Sequence, residues 1–147
     1  MDILSNFSER LQELMFSNNV SAGELAERIG VDSATIYKWL NKEYFPSSPP
    51  FFRLLEYFQC SADYLFGLTD DYPENKRYAP PTNEFGKRLR EVMKETKTSQ
   101  YALNKKHHIS SFLVHQWLNG NVLPNTVQIV KLASIMQVSV DYLLGRD

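Results

Sequence analysis

The chain repeats itself, and any fold it adopts has to serve twice. Displaced by 78 positions, residues 7–67 align with 85–145 without a gap, and 19 of the 61 pairs are identical. Two unrelated segments of this composition would share roughly four. The identities include Phe7/Phe85, Leu11/Leu89, Ser21/Ser99, Leu25/Leu103, Trp39/Trp117, Asn41/Asn119, Pro46/Pro124 and Tyr64/Tyr142. Between the copies, Thr69 to Pro81 reads TDDYPENKRYAPP, three prolines in a mixed-charge run with no apolar period. That is linker composition. The expected organisation is a domain over 1–68, a linker over 69–81 and a second domain over 82–147. Thirteen extended residues reach at most ~43 Å, so the domains can sit together or apart.

Composition supports two packed cores: 43% of the 147 residues are apolar and 13% aromatic, with a net charge of -1. Neither a disordered charged tail nor a uniformly basic nucleic-acid binder fits these values. The single cysteine, Cys60, excludes an internal disulfide and a cysteine-rich zinc site. No run approaches the roughly 18 apolar residues of a membrane span, and Met1-Asp2-Ile3-Leu4-Ser5-Asn6 does not resemble a secretory leader. A soluble protein in a reducing cytoplasm is expected, with no membrane partner.

Apolar spacing sets the helices. Phe7, Leu11, Leu14 and Met15 mark one helical stripe, and Phe51, Leu54, Leu55 and Phe58 another. Ser21-Ala22-Gly23-Glu24 is a capping box, so a helix begins there, buries Leu25, Ala26 and Ile29, and stops at Gly30. Asp32 or Ser33 then caps a helix holding Ile36, Trp39 and Leu40. Ser48, with Pro49 at the first helical position, starts the fourth helix, and Ser61 opens a short fifth one ending at Gly67. The second copy repeats the scheme, with helices expected from Phe85, over Ser99–Lys106, Ser111–Asn119, Thr126–Met136 and Ser139–Leu144. No segment sustains a strand period. The class is all-α, two tandem five-helix domains.

The stretch AGELAERIGVDSATIYKWLN, from Ala22 to Asn41, resembles the helix-turn-helix of the Cro and phage-repressor family, also called the xenobiotic-response-element type. Leu25 and Ala26 fall inside the first motif helix, Gly30 and Val31 at the turn, and Ile36 and Trp39 inside the second. The resemblance extends over both repeats, about 120 of the 147 residues, through Asp63-Tyr64-Leu65-Phe66-Gly67 and Asp141-Tyr142-Leu143-Leu144-Gly145. It implies lambda-repressor-like domains, double-stranded DNA as partner, and a bacterial or phage-type transcriptional repressor. The alternative is a protein-interaction adaptor, antirepressor or antitoxin-like, built from the same repeats. A protein partner or self-association is compatible with either.

In that family the second motif helix enters the major groove while the first sets its N-terminal amides against a phosphate. Carried over by position, the first copy presents Ser21 at the first helix, then Ser33, Ala34, Thr35, Tyr37, Lys38, Asn41 and Lys42. Lys38 suits guanine or phosphate, Ser33 and Thr35 suit bases or phosphates, and Ala34 suits a thymine methyl. The second copy presents Gln100, where the family often uses glutamine, then Ser111, Phe112, Leu113, His115, Gln116, Asn119 and Asn121. Gln116 matches adenine. Phe112 and Leu113 are an exposed apolar pair that fits a protein contact as readily as a base.

The second copy departs at its turn, with Asn104 for Ala26, His107 for Ile29 and His108 for Gly30. Histidine tolerates the left-handed region better than most residues, and Asn104 needs a polar partner if buried. His107, His108 and His115 have no acidic or thiol ligand at matching spacing, so no metal is expected. Both copies also replace the family's arginine–glutamate pair by Met15 with Leu40 and Met93 with Leu118, an apolar exchange that need not cost stability. Cys60 aligns with Val138 as a small buried residue, and Tyr64 and Tyr142 read as core edges with wet hydroxyls.

Charge separates the copies. Residues 1–68 carry nine acidic and five basic side chains, and residues 82–147 carry five and nine. Lys87, Arg88, Arg90, Lys94, Lys97, Lys105 and Lys106 then serve phosphate attraction, contact between the oppositely charged domains, or solubility alone. No glycine-rich phosphate loop, metal motif or nucleophile–histidine–carboxylate arrangement is present. Neither an enzyme nor a cofactor is expected.

Overall fold

A computed structural model describes residues 3–72 and 76–146, and every regular element among them is helical. Residues 1–78 and 79–147 form separate compact units. The first holds α1 (Ile3–Ser17), α2 (Ala22–Ile29), α3 (Ser33–Leu40), α4 (Ser48–Phe58) and α5 (Ala62–Leu65). The second holds α6 (Phe85–Glu95), α7 (Gln100–Lys105), α8 (Ser111–Leu118), α9 (Thr126–Met136) and α10 (Val140–Leu143). The lengths match except at two places: α1 carries four residues ahead of Phe7 whereas α6 begins at Phe85 itself, and α2 has eight residues whereas α7 has six.

Caps explain most boundaries. Ser21 and Glu24 form the reciprocal box at α2, and Ser61, Ser99 and Ser139 each accept the backbone amide three residues on. Two expected starts need correction. Ser47, not Ser48, holds the position before the first turn of α4, without a side-chain capping bond, so Pro49 sits one residue further into that turn. Proline is equally at home there because the first-turn amides lack intrahelical partners. At α8 the cap is Ser110, whose hydroxyl accepts from Leu113, and Ser111 is the first helical residue. A further box, Asn125 with Gln128, opens α9.

The expected apolar stripes are the cores. Phe7, Leu11, Leu14 and Met15 are buried with Phe51, Leu54, Leu55 and Phe58 in the first unit, as are Phe85, Leu89, Val92 and Met93 in the second. Trp39 and Trp117 are each 1% exposed. Aromatic rings fill the first core, where Phe51 stacks on Phe66 with centroids 4.6 Å apart and Phe45 lies 5.6 Å from Phe7. Phe85 keeps the ring of Phe7, but the counterparts of Phe51, Phe66 and Phe45 are the aliphatic Ile129, Leu144 and Leu123, so the two units reach the same helix order with different packing. Cys60 is buried, as expected for its place in the repeat.

The tyrosines shared by the two repeats, Tyr64 and Tyr142, have a role that helical periodicity does not reveal. The Arg10 guanidinium lies 4.1 Å from the Tyr64 ring centroid, and that of Arg88 lies 4.4 Å from the Tyr142 centroid. Each pair fastens the first helix of its unit to the last. Arg88 also donates twice to the Tyr142 carbonyl, and the Tyr142 hydroxyl donates to Glu95 rather than only to water. Segment 69–81 is attached at both ends: Arg10 pairs with Asp70 at 2.6 Å, and the Ala79 carbonyl accepts from Arg146. Arg146 itself pairs with buried Asp141 at 2.7 Å.

Candidate nucleic-acid interface

The α2–α3 pair is built for a tight turn. Gly30 ends α2 at φ 73, and its amide donates to the Ala26 carbonyl. A side chain there would be strained, which is why glycine is the usual choice. Arg53 on α4 donates to the Ile29 carbonyl at 2.6 Å, satisfying one of the exposed carbonyls at the end of α2. Buried Leu25, Ala26, Ile29, Ile36 and Trp39 hold the two helices together and to the core. Their burial leaves the opposite side of α3 turned to solvent.

That side carries the residues expected from the sequence. Ser33, Ala34, Tyr37 and Lys38 are exposed along α3, followed by Asn41 and Lys42, while Thr35 is half-buried. Leu40, expected inward, is also only half-buried. Ser21 is exposed, although its hydroxyl already accepts from Glu24. Lys42 adopts φ 63 and leans toward Glu9, with 3.7 Å between the charged atoms. The free cationic group best placed on the helix face is therefore Lys38.

In the second unit His108 takes the place of Gly30 and adopts φ 57, the left-handed conformation its position requires. Asn104 has the polar partner it needs, donating to the Ile109 carbonyl at 3.1 Å. His107 is half-buried, and no cluster of three or more His, Cys, Asp or Glu side chains able to hold a metal occurs among the described residues. On α8, Ser111, Phe112 and His115 are exposed, followed by Asn119 and Asn121, whereas Leu113 and Gln116 are half-buried. Gln100 is exposed at the start of α7.

Two features of this surface lie beyond the sequence expectations, side-chain pairing along α8 and the exposure of Tyr101 beside the expected Phe112. Asn121 donates to the Gln116 side-chain oxygen at 3.2 Å, and Asn119 lies 3.2 Å from His115 across one turn. The polar groups are thus partly engaged with one another. Tyr101, where the first copy has Gly23, is 72% exposed, and Phe112, where it has Ala34, is 69% exposed. The mismatch Gly23/Tyr101 is the signal that could have added Tyr101 to the exposed Phe112. No helix among the described residues is long and apolar enough to cross a membrane.

No curated protein and no solved structure gives a significant match to the chain. Residues 11–65, which run from the middle of α1 through α5 and include the whole α2–α3 pair, match the family model described as Helix-turn-helix.

Proposed function

We propose that the protein is a sequence-specific regulator of transcription that binds duplex DNA through α3, acts as a repressor, and uses α8 as a second DNA-binding helix. The observation that carries this reading is the helix-turn-helix match together with an exposed α3 face of Ser33, Ala34, Tyr37, Lys38 and Asn41. Small and hydrogen-bonding side chains on a helix of this kind suit base edges in the major groove. The second copy at offset 78 and its excess of basic side chains support a two-headed arrangement. The acidic first unit supplies discrimination, and the basic second supplies salt-sensitive attraction to phosphate.

Half-sites one helical turn apart are separated by about 34 Å, a distance to be spanned by the two units together with the segment between Asp70 and Ala79, whose ends Arg10 and Arg146 hold. One chain then behaves as a built-in dimer. Exposed Tyr101 and Phe112 favour a second reading for the second unit, a contact with protein rather than DNA. Selection from a random duplex library by the intact chain tests the proposal. Enrichment of a defined sequence at low salt is the expected result, and failure to enrich any sequence favours the adaptor.

A further inference from the structure

On α1, Glu9, Gln12, Glu13 and Phe16 follow a spacing that places them on one helix face. They line a shallow open depression, and Phe16 is 88% exposed at its end. The same positions of the repeat on α6 are Lys87, Arg90, Glu91 and Lys94, all exposed. Two carboxylates and an aromatic ring thus become three cations and one carboxylate on an otherwise equivalent face. Neither face is locked by strong local pairs: Glu9 meets Lys42 at 3.7 Å and Glu91 meets Arg88 at 3.6 Å, all four side chains keeping solvent access.

From this complementarity we infer that the α1 face of one chain docks on the α6 face of a second copy. An antiparallel crossing sets Glu9 toward Lys94, Glu13 toward Arg90 and the Phe16 ring toward Lys87, a cation against an aromatic face. The same crossing brings the Gln12 amide to Glu91. A parallel crossing would instead oppose Glu13 and Glu91, two like charges. Each chain carries both faces, so the contact formed twice between two chains gives a twofold dimer. Exposed ion pairs are individually weak and screened, so this dimer is labile and salt-sensitive.

The experiment uses the intact chain without DNA, so its outcome is separate from that of the DNA-binding proposal. Mass is measured by light scattering at low salt and near 1 M, where the screening length falls from roughly 30 Å to about 3 Å. The wild type is expected as a dimer at low salt and a monomer at high salt. Glu9→Lys with Glu13→Lys, and separately Arg90→Glu with Lys94→Glu, should each give a monomer. Mixed together, the two variants should form a dimer, because one then offers two basic faces and the other two acidic ones. That mixing result also shows that both variants are folded. A wild type that is monomeric at every salt concentration overturns the inference and leaves the α6 cations for the DNA backbone. Variants that dimerise alone, or that keep their helical circular dichroism yet stay monomeric when mixed, overturn it as well.

Discussion

Ser8 and Gly86 hold the same place in the repeat and meet the same neighbour differently. The Ser8 hydroxyl donates to the Trp39 carbonyl at 2.5 Å. At Gly86 a side chain has no room, because a Cβ would lie 2.5 Å from the Trp117 oxygen and 2.6 Å from that of Leu118. Those atoms are backbone and cannot swing aside. Gly86→Ala would gain about 1 kcal/mol of helix propensity but incur roughly 1–3 kcal/mol of overpacking. Urea titration should show net destabilisation of the second unit, and a stabilised variant would contradict the close approach of α6 to α8. Tyr142 offers a second residue-level test. Its hydrogen bond to Glu95 is the largest cause pushing the phenol above its ordinary 10.0. A raised folded value means that this stabilisation is complete below the unfolded pKa and lost as pH rises through the folded one, a window above about 10. Glu95→Gln should lower the Tyr142 titration followed by ultraviolet absorbance, with Tyr142→Phe identifying its component; an unchanged midpoint would count against the bond.

Among the elements, the two motif turns pose the same backbone requirement to different residues. Gly30 meets it at φ 73 without a Cβ, whereas His108 adopts φ 57 with one. His108→Gly relieves about 1–2 kcal/mol of left-handed strain against roughly 0.5–1 kcal/mol for the greater freedom of glycine in the unfolded chain, so the second unit should gain on the order of 0.5–1 kcal/mol. Thermal melting that shows a loss instead would mean the histidine side chain makes a compensating contact. Replacing Trp39 or Trp117 by alanine should cost ~3–5 kcal/mol, since each ring is nearly sealed in its core; a loss under about 1 kcal/mol in denaturant would refute that burial. Element by element, the helices and both turns were legible because capping serines, Gly30 and the apolar spacing all act over a few residues. Ser47 against Ser48 was not, since no side-chain bond from Ser47 marks the start of α4. The Arg10–Tyr64 and Arg88–Tyr142 clasps were also invisible, because they join residues more than fifty positions apart. On α3 the outward face followed from the inward one; on α8 the Asn121–Gln116 bond depends on a loop conformation that periodicity does not encode.

For the whole molecule, duplication places an acidic unit and a basic unit on one chain, and the connecting segment keeps the second at high local concentration once the first is bound. Tethering of this kind commonly raises affinity by a factor on the order of 10² or more when both units contact the same duplex. If both units bind DNA as proposed, damage to one motif need not abolish binding, because the other would still hold the duplex through phosphate contacts. Loss of sequence preference is therefore more informative than loss of binding. The most direct measurement is a titration of the selected duplex, and of a scrambled one, with the intact chain and with its Thr35→Ala, Lys38→Ala double variant. Two lost base contacts at about 1–3 kcal/mol each predict a fall of at least roughly 30-fold on the selected duplex and little change on the scrambled one, with helicity preserved. Equal affinity of the folded variant and the wild type for the selected duplex would contradict base reading by α3.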